Sequence, residues 1–266
     1  MKAEPDSCPL AAITLLRSFA LLSLLLAVSP AQLFAKTVVF EQAGFPVIDS
    51  QEVPRSTLTR ALDGMNPLFA DLAALQKTET LADADLLVLP YGSAVPVEAW
   101  SVIESHFHAG GNLLIIGGLP MHVPVTQVDG KFQAGRPQDT YGRLLEFRHA
   151  YEVPVTKAAQ FRWKDGYPLP AISRVRARRF FAVEGDLDGL GYMVDETGLR
   201  AAAPVIVADH PSGGRVVCLG FDPEPGYWES EAGVSLVRQA AGYARQARWT
   251  SRSRLCSRLC GRASRP

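Results

Sequence analysis

The chain has few cysteines and no pattern that uses them for chemistry. It contains 4 cysteines in 266 residues. Cys8 lies in the first segment, Cys256 and Cys260 lie in the last one, and Cys218 lies in the apolar run RVVCLGF. A single cysteine in such a run is typical of a small hydrophobic core residue. We therefore expect no disulfide in the body of the protein.

The chain also lacks net charge, because its 27 basic and 27 acidic residues cancel. Residues 245–266 hold seven arginines and no acidic residue, which leaves residues 36–244 acidic. An acidic body lacks the basic face that phosphate backbones require, so we expect no nucleic-acid partner. Residues 245–266 are predicted to be a disordered basic tail. Two alternatives are an arm for an acidic partner and an extension from an interrupted reading frame, which would make the chain a fragment.

No apolar run is long enough to cross a bilayer as a helix. The run SFALLSLLLAV after Arg17 is shorter than the roughly 20 residues that a spanning helix needs, and it leads into small residues and proline. This order is typical of a secretory signal peptide, here residues 1–35, with cleavage after Ala31 or Ala35. A membrane anchor is the alternative. We expect a secreted or periplasmic protein with no stable membrane span after cleavage.

Strand and helix patterns are present and alternate through the first half of the chain. The runs TVVF, LLVL and NLLIIGG predict strands, and residues 56–75, capped by Ser56, and 96–111 have the spacing of helices. Short connections between them predict a flavodoxin-like α/β fold with a doubly wound, mostly parallel sheet. The region of about residues 124–200 is predicted to be an antiparallel insertion, with a hairpin turn at Asp129 and Gly130. The expected domain covers residues 36–244 and closes with two strands and a helix.

Polar residues follow several of the predicted strands. Ligands of an open parallel sheet bind beyond the carboxyl ends of its strands, where the sequence places Glu41, Tyr91, Ser93, His122 and Asp222. These five residues form the candidate binding site, together with Trp228, whose ring could stack on a sugar.

Three stretches resemble, in order, the class I glutamine amidotransferase-like superfamily: DADLLVLPYGS, AWSVIESHFHAGGNLLIIGG and GGRVVCLGFDPEPGYWESEAG. The likeness is to its secreted members that accompany glycoside hydrolases. Catalytic members carry a nucleophilic cysteine in a glycine-flanked elbow after the third strand. Aligned on that elbow, Gly117 and Gly118 lead to Leu119 in the cysteine position, and Pro120 lacks the N–H that could serve an oxyanion. The resemblance thus implies a degenerate elbow in a non-catalytic binding or scaffolding module, whose partner is a carbohydrate ligand or an adjacent glycosidase module.

Two other functions remain open at this stage. Glu41 and Asp222 could be a pair of catalytic carboxylates in a hydrolase that acts on a glycan or amide bond. Alternatively, the acidic surface could serve a structural interaction protein. We expect no cofactor and no metal, since His106 and His108 are two residues apart on a helix and so point to different faces.

The remaining polar clusters have ordinary structural explanations. The arginines of residues 174–179 are expected on an exposed edge strand. His210 is expected in a turn between strands.

Overall fold

The computed structural model describes residues 36–145, 147–153, 160–163, 177–185, 188–194, 200–211 and 214–246. The predicted signal peptide (residues 1–35) lies outside these ranges, as do residues 247–266 of the predicted tail, whose first residue, Arg245, ends the last helix. Within the described ranges, no helix combines the length and the apolar character that crossing a membrane requires.

Fourteen strands and six α-helices make up the described part of the chain. The strands are β1 (Lys36–Phe40), β2 (Pro67–Ala70), β3 (Ala84–Leu89), β4 (Ala94–Pro96), β5 (Asn112–Ile116), β6 (Val123–Val128), β7 (Lys131–Ala134), β8 (Phe147–Val153), β9 (Gln160–Trp163), β10 (Ala177–Gly185), β11 (Asp188–Val194), β12 (Arg200–Asp209), β13 (Arg215–Leu219) and β14 (Phe221–Pro223). The helices are α1 (Arg55–Ala61), α2 (Leu72–Leu75), α3 (Thr78–Leu81), α4 (Trp100–His108), α5 (Thr140–Leu144) and α6 (Glu231–Arg245), and a 3-10 turn (Val97–Ala99) precedes α4.

The central sheet has the order β2-β1-β3-β5-β13-β12-β11-β9. Its first five strands are parallel, and β12, β11 and β9 extend it in antiparallel fashion. The described strands also form two three-stranded sheets, β14-β10-β8 and β4-β6-β7. The predicted α/β fold with a mostly parallel central sheet and an antiparallel insertion is therefore confirmed.

Helices cover both faces of the parallel strands. Alternate strand residues point to opposite faces, so Val39, Val88 and Leu114 pack in one core cluster with residues of α1 and α6. Their neighbours Val38, Leu87 and Leu113 pack in a second cluster with residues of α2, α3 and α4. Burial on both faces explains why these strands are almost continuously apolar.

The single helix predicted over residues 56–75 is wrong. The helix α1 ends at Ala61, its N-cap is Pro54 without a side-chain hydrogen bond, and β2 and α2 follow. The backbone reverses at Gly64 and Asn66, which have φ values of 79° and 51°. A left-handed residue stops an α-helix, and Pro67 then lacks the N–H that would continue one. The periodic apolar residues instead reach the core from three separate elements.

Other local predictions are confirmed. The strands β6 and β7 form the hairpin. Its turn residues Asp129 and Gly130 have φ values of 51° and 75°, both in the left-handed region. The strands β12 and β13 pair antiparallel, and the predicted closing helix is α6. The Ser230 hydroxyl caps this helix, which sequence reasoning did not predict. Cys218 is buried in the sheet, as expected of a small core residue, and burial raises the pKa of its thiol.

Candidate functional site: the carboxyl edge of the parallel sheet

The turn after β5 has the shape of a tight elbow. Gly117 and Gly118 have φ values of 90° and 59°, and Met121 also has a positive φ of 56°. A Cβ on Gly117 would lie 2.1 Å from the Ser50 hydroxyl oxygen, and one on Gly118 would lie 2.5 Å from the Ser93 nitrogen. Glycine is therefore required at both positions by backbone conformation and by close packing. Leu119, in the nucleophile position, is buried at 8% exposure.

Ser93 fills the space beneath this elbow. The N–H of Leu119 donates to the Ser93 hydroxyl oxygen at 2.8 Å, and that hydroxyl donates to the Asp49 carboxylate at 2.7 Å. Ser93 has no exposed surface, and its backbone N–H donates to the Ile48 carbonyl. The serine is thus a buried connector between the elbow and the loop after β1.

Arg179 links Asp49, the partner of Ser93, to the buried carboxylate of Asp222. Arg179, on β10, donates from Nη1 to Asp49 at 3.1 Å and from Nε to Asp222 at 3.1 Å. The Asp222 side chain is only 1% exposed, and Gln51 donates to its other oxygen at 3.2 Å. We call the set Asp49, Gln51, Ser93, Arg179 and Asp222 the strand-end network. Paired and hydrogen-bonded charges are the form in which proteins tolerate buried ionic groups.

Sequence reasoning missed three members of the strand-end network. Arg179 was expected on an exposed edge, and this expectation is corrected because its guanidinium is engaged by two carboxylates. Asp49 and Gln51 carry no motif that distinguishes them from other loop residues. Asp222 was identified as a strand-end acid, but its partner Arg179 is 43 residues away in the chain.

Glu41 and Tyr91 lie at the ends of β1 and β3 and make separate contacts. Glu41 forms an ion pair with Arg55 in which both side chains are partly exposed. The Tyr91 hydroxyl accepts from the Gln42 N–H at 2.7 Å and donates to the Gln42 carbonyl at 3.2 Å. Its ring packs against Phe40 and Phe45. Burial raises the pKa of Tyr91, the Gln42 hydrogen bond opposes this, and the nearby charges of Glu41 and Glu52 add to the rise.

The two carboxylates considered as a catalytic pair are held by different arginines. Glu41 pairs with Arg55 and Asp222 with Arg179. A general acid or base must reach the substrate directly or through one water. The nearly complete burial of Asp222 leaves it as an anchor for Arg179 in this structure.

His122 follows the elbow and is paired with an acid. Its Nδ1 lies 3.3 Å from Oδ1 of Asp139, and the two side chains are 18% and 25% exposed. Asp139 is the residue that precedes α5. Of the predicted site residues, His122 therefore combines an engaged ring nitrogen with access to solvent.

Trp228 lies in the core beneath this edge. It is 1% exposed, and its ring packs against Phe221 and Tyr227 at centroid distances of 5.3 Å each. No face of the indole is open to solvent in this arrangement. Burial raises the pKa of the neighbouring Tyr227 to about 12.

Metal-ligating residues do not gather at any point in the described part of the chain. His106 is buried and His108 is exposed, so the two side chains face different environments, as their spacing predicts. His108 approaches Glu104 at 3.8 Å, and its ring lies 4.9 Å from that of His210. This histidine contact lies at the end of α4 and directly after β12, on the amino edge of the parallel strands.

Comparison with known proteins gives similarity at the level of the fold. No protein-family model and no curated protein matches the chain. A β-galactosidase from Bacillus circulans sp. alkalophilus matches with a TM-score of 0.50 and 7% identity, over 80% of this chain and 31% of that one. The Cytoplasmic Protein STM1381 from Salmonella typhimurium LT2 matches with a TM-score of 0.47 and 12% identity, over 78% and 99% of the two chains. A ThuA-like protein from Bacteroides uniformis matches with a TM-score of 0.45 and 9% identity, over 78% and 89%.

At 7% identity the β-galactosidase match shows a similar fold alone. The matched part of the β-galactosidase is less than a third of that chain. Function must therefore be argued from the site.

Proposed function

We propose that this chain is an exported, non-catalytic amidotransferase-like domain that binds or scaffolds within a carbohydrate-active protein. The observation that carries the proposal is the hydrogen bond from the Leu119 N–H to the buried Ser93 hydroxyl at 2.8 Å. In an acyl-transfer elbow, backbone N–H groups at this turn must point at the reacting oxygen. Here that N–H is used inside the protein.

Among the described residues, the elbow itself supplies no nucleophilic side chain. Leu119 supplies none, and Pro120 has no N–H to donate. Ser93 has no exposed surface, and its hydroxyl donates to a carboxylate and not to an imidazole base. A serine nucleophile needs a base that can take its proton. The elbow keeps its backbone shape, and its Leu119 N–H donates to Ser93 of the strand-end network.

Three partly exposed polar side chains near the elbow support a binding function. Glu41, Tyr91 and His122 are partly exposed and lie at the ends of three neighbouring parallel strands. Ser93 and Asp222 are buried members of the strand-end network, and Trp228 is buried in the core. Carboxylate, phenol and imidazole groups can hydrogen-bond sugar hydroxyls. Each of the three side chains already contacts a partner, which reduces the conformational entropy that binding must offset. The fold-level match to part of a β-galactosidase favours a carbohydrate ligand or an adjacent glycosidase module as the partner.

The proposal is tested by assays for turnover and binding on the same purified protein. We expect no ammonia release from glutamine, no hydrolysis of nitrophenyl glycosides, and saturable binding of lactose or β-1,4-galactobiose by calorimetry. The variant Leu119→Cys is the control for the elbow. It should remain inactive because a thiol alone restores neither the base nor the N–H that Pro120 lacks.

Turnover by the wild-type chain would overturn the proposal. If that turnover were lost in Glu41→Gln and Asp222→Asn, the hydrolase function would replace it. Absence of binding to both disaccharides would remove the carbohydrate part of the proposal.

Export is part of the same proposal and has its own test. Residues 1–35 would direct secretion and be removed after Ala31 or Ala35. Mass spectrometry of the protein recovered from the periplasm or medium should show an amino terminus at Gln32 or Lys36. Recovery of the uncleaved chain from the cytoplasm would contradict export.

A further inference from the structure

A histidine–carboxylate pair lies where the elbow meets α5. Nδ1 of His122 is 3.3 Å from Oδ1 of Asp139. Among the described residues, Nε2 of this ring has no hydrogen-bond partner, and the side chain is 18% exposed. A ring with one nitrogen beside an anion and the other open to solvent can act on a ligand.

The backbone holds this pair firmly in place. The N–H groups of His122 and Val123 both donate to the Ser93 carbonyl, at 3.1 and 2.8 Å, and the His122 carbonyl accepts from the Gln138 N–H at 2.8 Å. The helix α5 lies next to the elbow, since a Cβ on Gly142 would be in ordinary van der Waals contact with the Pro120 carbonyl oxygen at 3.6 Å. The ring is therefore positioned by the elbow on one side and by α5 on the other.

The acid determines which nitrogen of the neutral ring carries hydrogen. A carboxylate only accepts hydrogen bonds, so it disfavours a lone pair on the adjacent Nδ1 and favours Nδ1–H. The lone pair is then on Nε2. A ring in this form accepts a hydrogen bond from a hydroxyl group at Nε2.

We propose that Nε2 of His122 is the acceptor that binds a sugar hydroxyl at the carboxyl edge, and that Asp139 is the residue that positions and polarises the ring. This inference rests on the proposed carbohydrate binding. It identifies the imidazole nitrogen that would distinguish a sugar hydroxyl from other ligand groups. Ligands of the same size without a hydroxyl donor at that point leave Nε2 unpaired and bind more weakly.

The chain offers a matched control for this pair. His108 also approaches a carboxylate, with Nε2 3.8 Å from Oε1 of Glu104. It lies at the end of α4, on the amino edge of the sheet, away from the proposed site. The variant His108→Phe makes the same chemical change as His122→Phe but leaves the carboxyl edge of the sheet unaltered.

The test measures lactose and β-1,4-galactobiose binding by calorimetry for the full chain and the variants His122→Phe, Asp139→Asn and His108→Phe. Loss of one hydrogen bond to a ligand weakens binding by about tenfold. We expect that loss in His122→Phe, a smaller one in Asp139→Asn and none in His108→Phe. Thermal unfolding of each variant shows whether it folds.

A spectroscopic measurement keeps the two proposals separable. In two-bond ¹H–¹⁵N spectra without ligand, the neutral His122 ring should carry its hydrogen on Nδ1, and this preference should weaken in Asp139→Asn. Wild-type binding that His122→Phe retains, or an Nε2–H ring in the wild type, overturns the role of His122 and leaves the proposed function standing. No binding by the wild type overturns both.

Discussion

Two ion pairs lie at opposite edges of the parallel sheet, and in each pair one of the two charged side chains is buried. At the carboxyl edge the acid is buried, since Asp222 is 1% exposed while the side chain of Arg179 is 37% exposed. At the amino edge the arginine is buried, since Arg215 is 6% exposed and Asp209 is 47% exposed. The first pair joins β10 and β14, neighbouring strands of one small sheet in which Arg179 faces Asp222. The second lies between β12 and β13 of the central sheet, where Asp209 faces Arg215.

This difference in burial indicates which arginine contributes more to the stability of the fold. Removal of Arg179 leaves a buried carboxylate to which Gln51 still donates a hydrogen bond. Removal of Arg215 leaves a carboxylate that water can solvate. Breaking a buried pair costs far more when the remaining charge cannot reach water.

The largest effect is expected from Arg179→Met. We expect a loss of about 3 kcal/mol in the free energy of unfolding at neutral pH, because Asp222 stays buried without its arginine. Urea unfolding followed by circular dichroism measures it. Adding Asp222→Asn should recover more than half of the loss. A loss below about 1 kcal/mol would show that the strand-end network behaves like a surface ion pair.

The second prediction concerns how tightly the carboxyl edge packs. Gly118→Ala places a Cβ 2.5 Å from the Ser93 nitrogen at a φ of 59°, and we expect a loss of about 2 kcal/mol from strain and displacement of Ser93. The control is Gly130→Ala, which has a φ of 75° and nothing within 4 Å. It should lose about 1 kcal/mol from conformation alone. Equal losses would mean that the elbow is not closely packed on Ser93.

A smaller effect is expected at the amino edge from Arg215→Met. This change removes the hydrogen bonds to Asp209 and to the Tyr243 carbonyl. Because Asp209 is largely solvated and the methionine can fill the space of the arginine stem, we expect a loss of about 1 kcal/mol. The urea midpoint compared with that of Arg179→Met tests the contrast between the edges. A larger loss than in Arg179→Met would reverse it.

The smallest prediction applies only at high pH. Burial raises the pKa of Tyr227 to about 12 in the folded protein, whereas an unfolded tyrosine titrates near 10, at about its ordinary value. The unfolded chain therefore loses its proton first, and stability should be constant below about pH 10 and fall between about pH 10 and 12. Urea midpoints at pH 9 and 11 measure the fall. Tyr227→Phe should show a smaller fall, and an identical one would assign it to other groups.

Much of the fold follows from the sequence because local patterns determine it. The apolar runs of β1, β3 and β5 gave a parallel sheet covered on both faces, and Asp129 and Gly130 gave the hairpin. The helix predicted over residues 56–75 failed because Gly64 and Asn66 override the apolar spacing. Two strands joined by one short turn pair with a register that the turn sets. The pairing of Asp209 with Arg215 therefore also follows from the two predicted strands.

The sequence by itself determined that the elbow has no nucleophile, since Leu119 and Pro120 are fixed by the chain. Only the tertiary structure decided what the elbow does instead. Asp49 and Arg179 are 130 residues apart, and Arg179 and Asp222 are 43 apart. No local pattern links such residues. The contact of Arg179 with Asp222 depends on the pairing of β10 with β14, and its contact with Asp49 depends on the loop after β1 lying against β10. The physical reason is that a buried charge must find a partner, and the fold selects which distant residue that partner is.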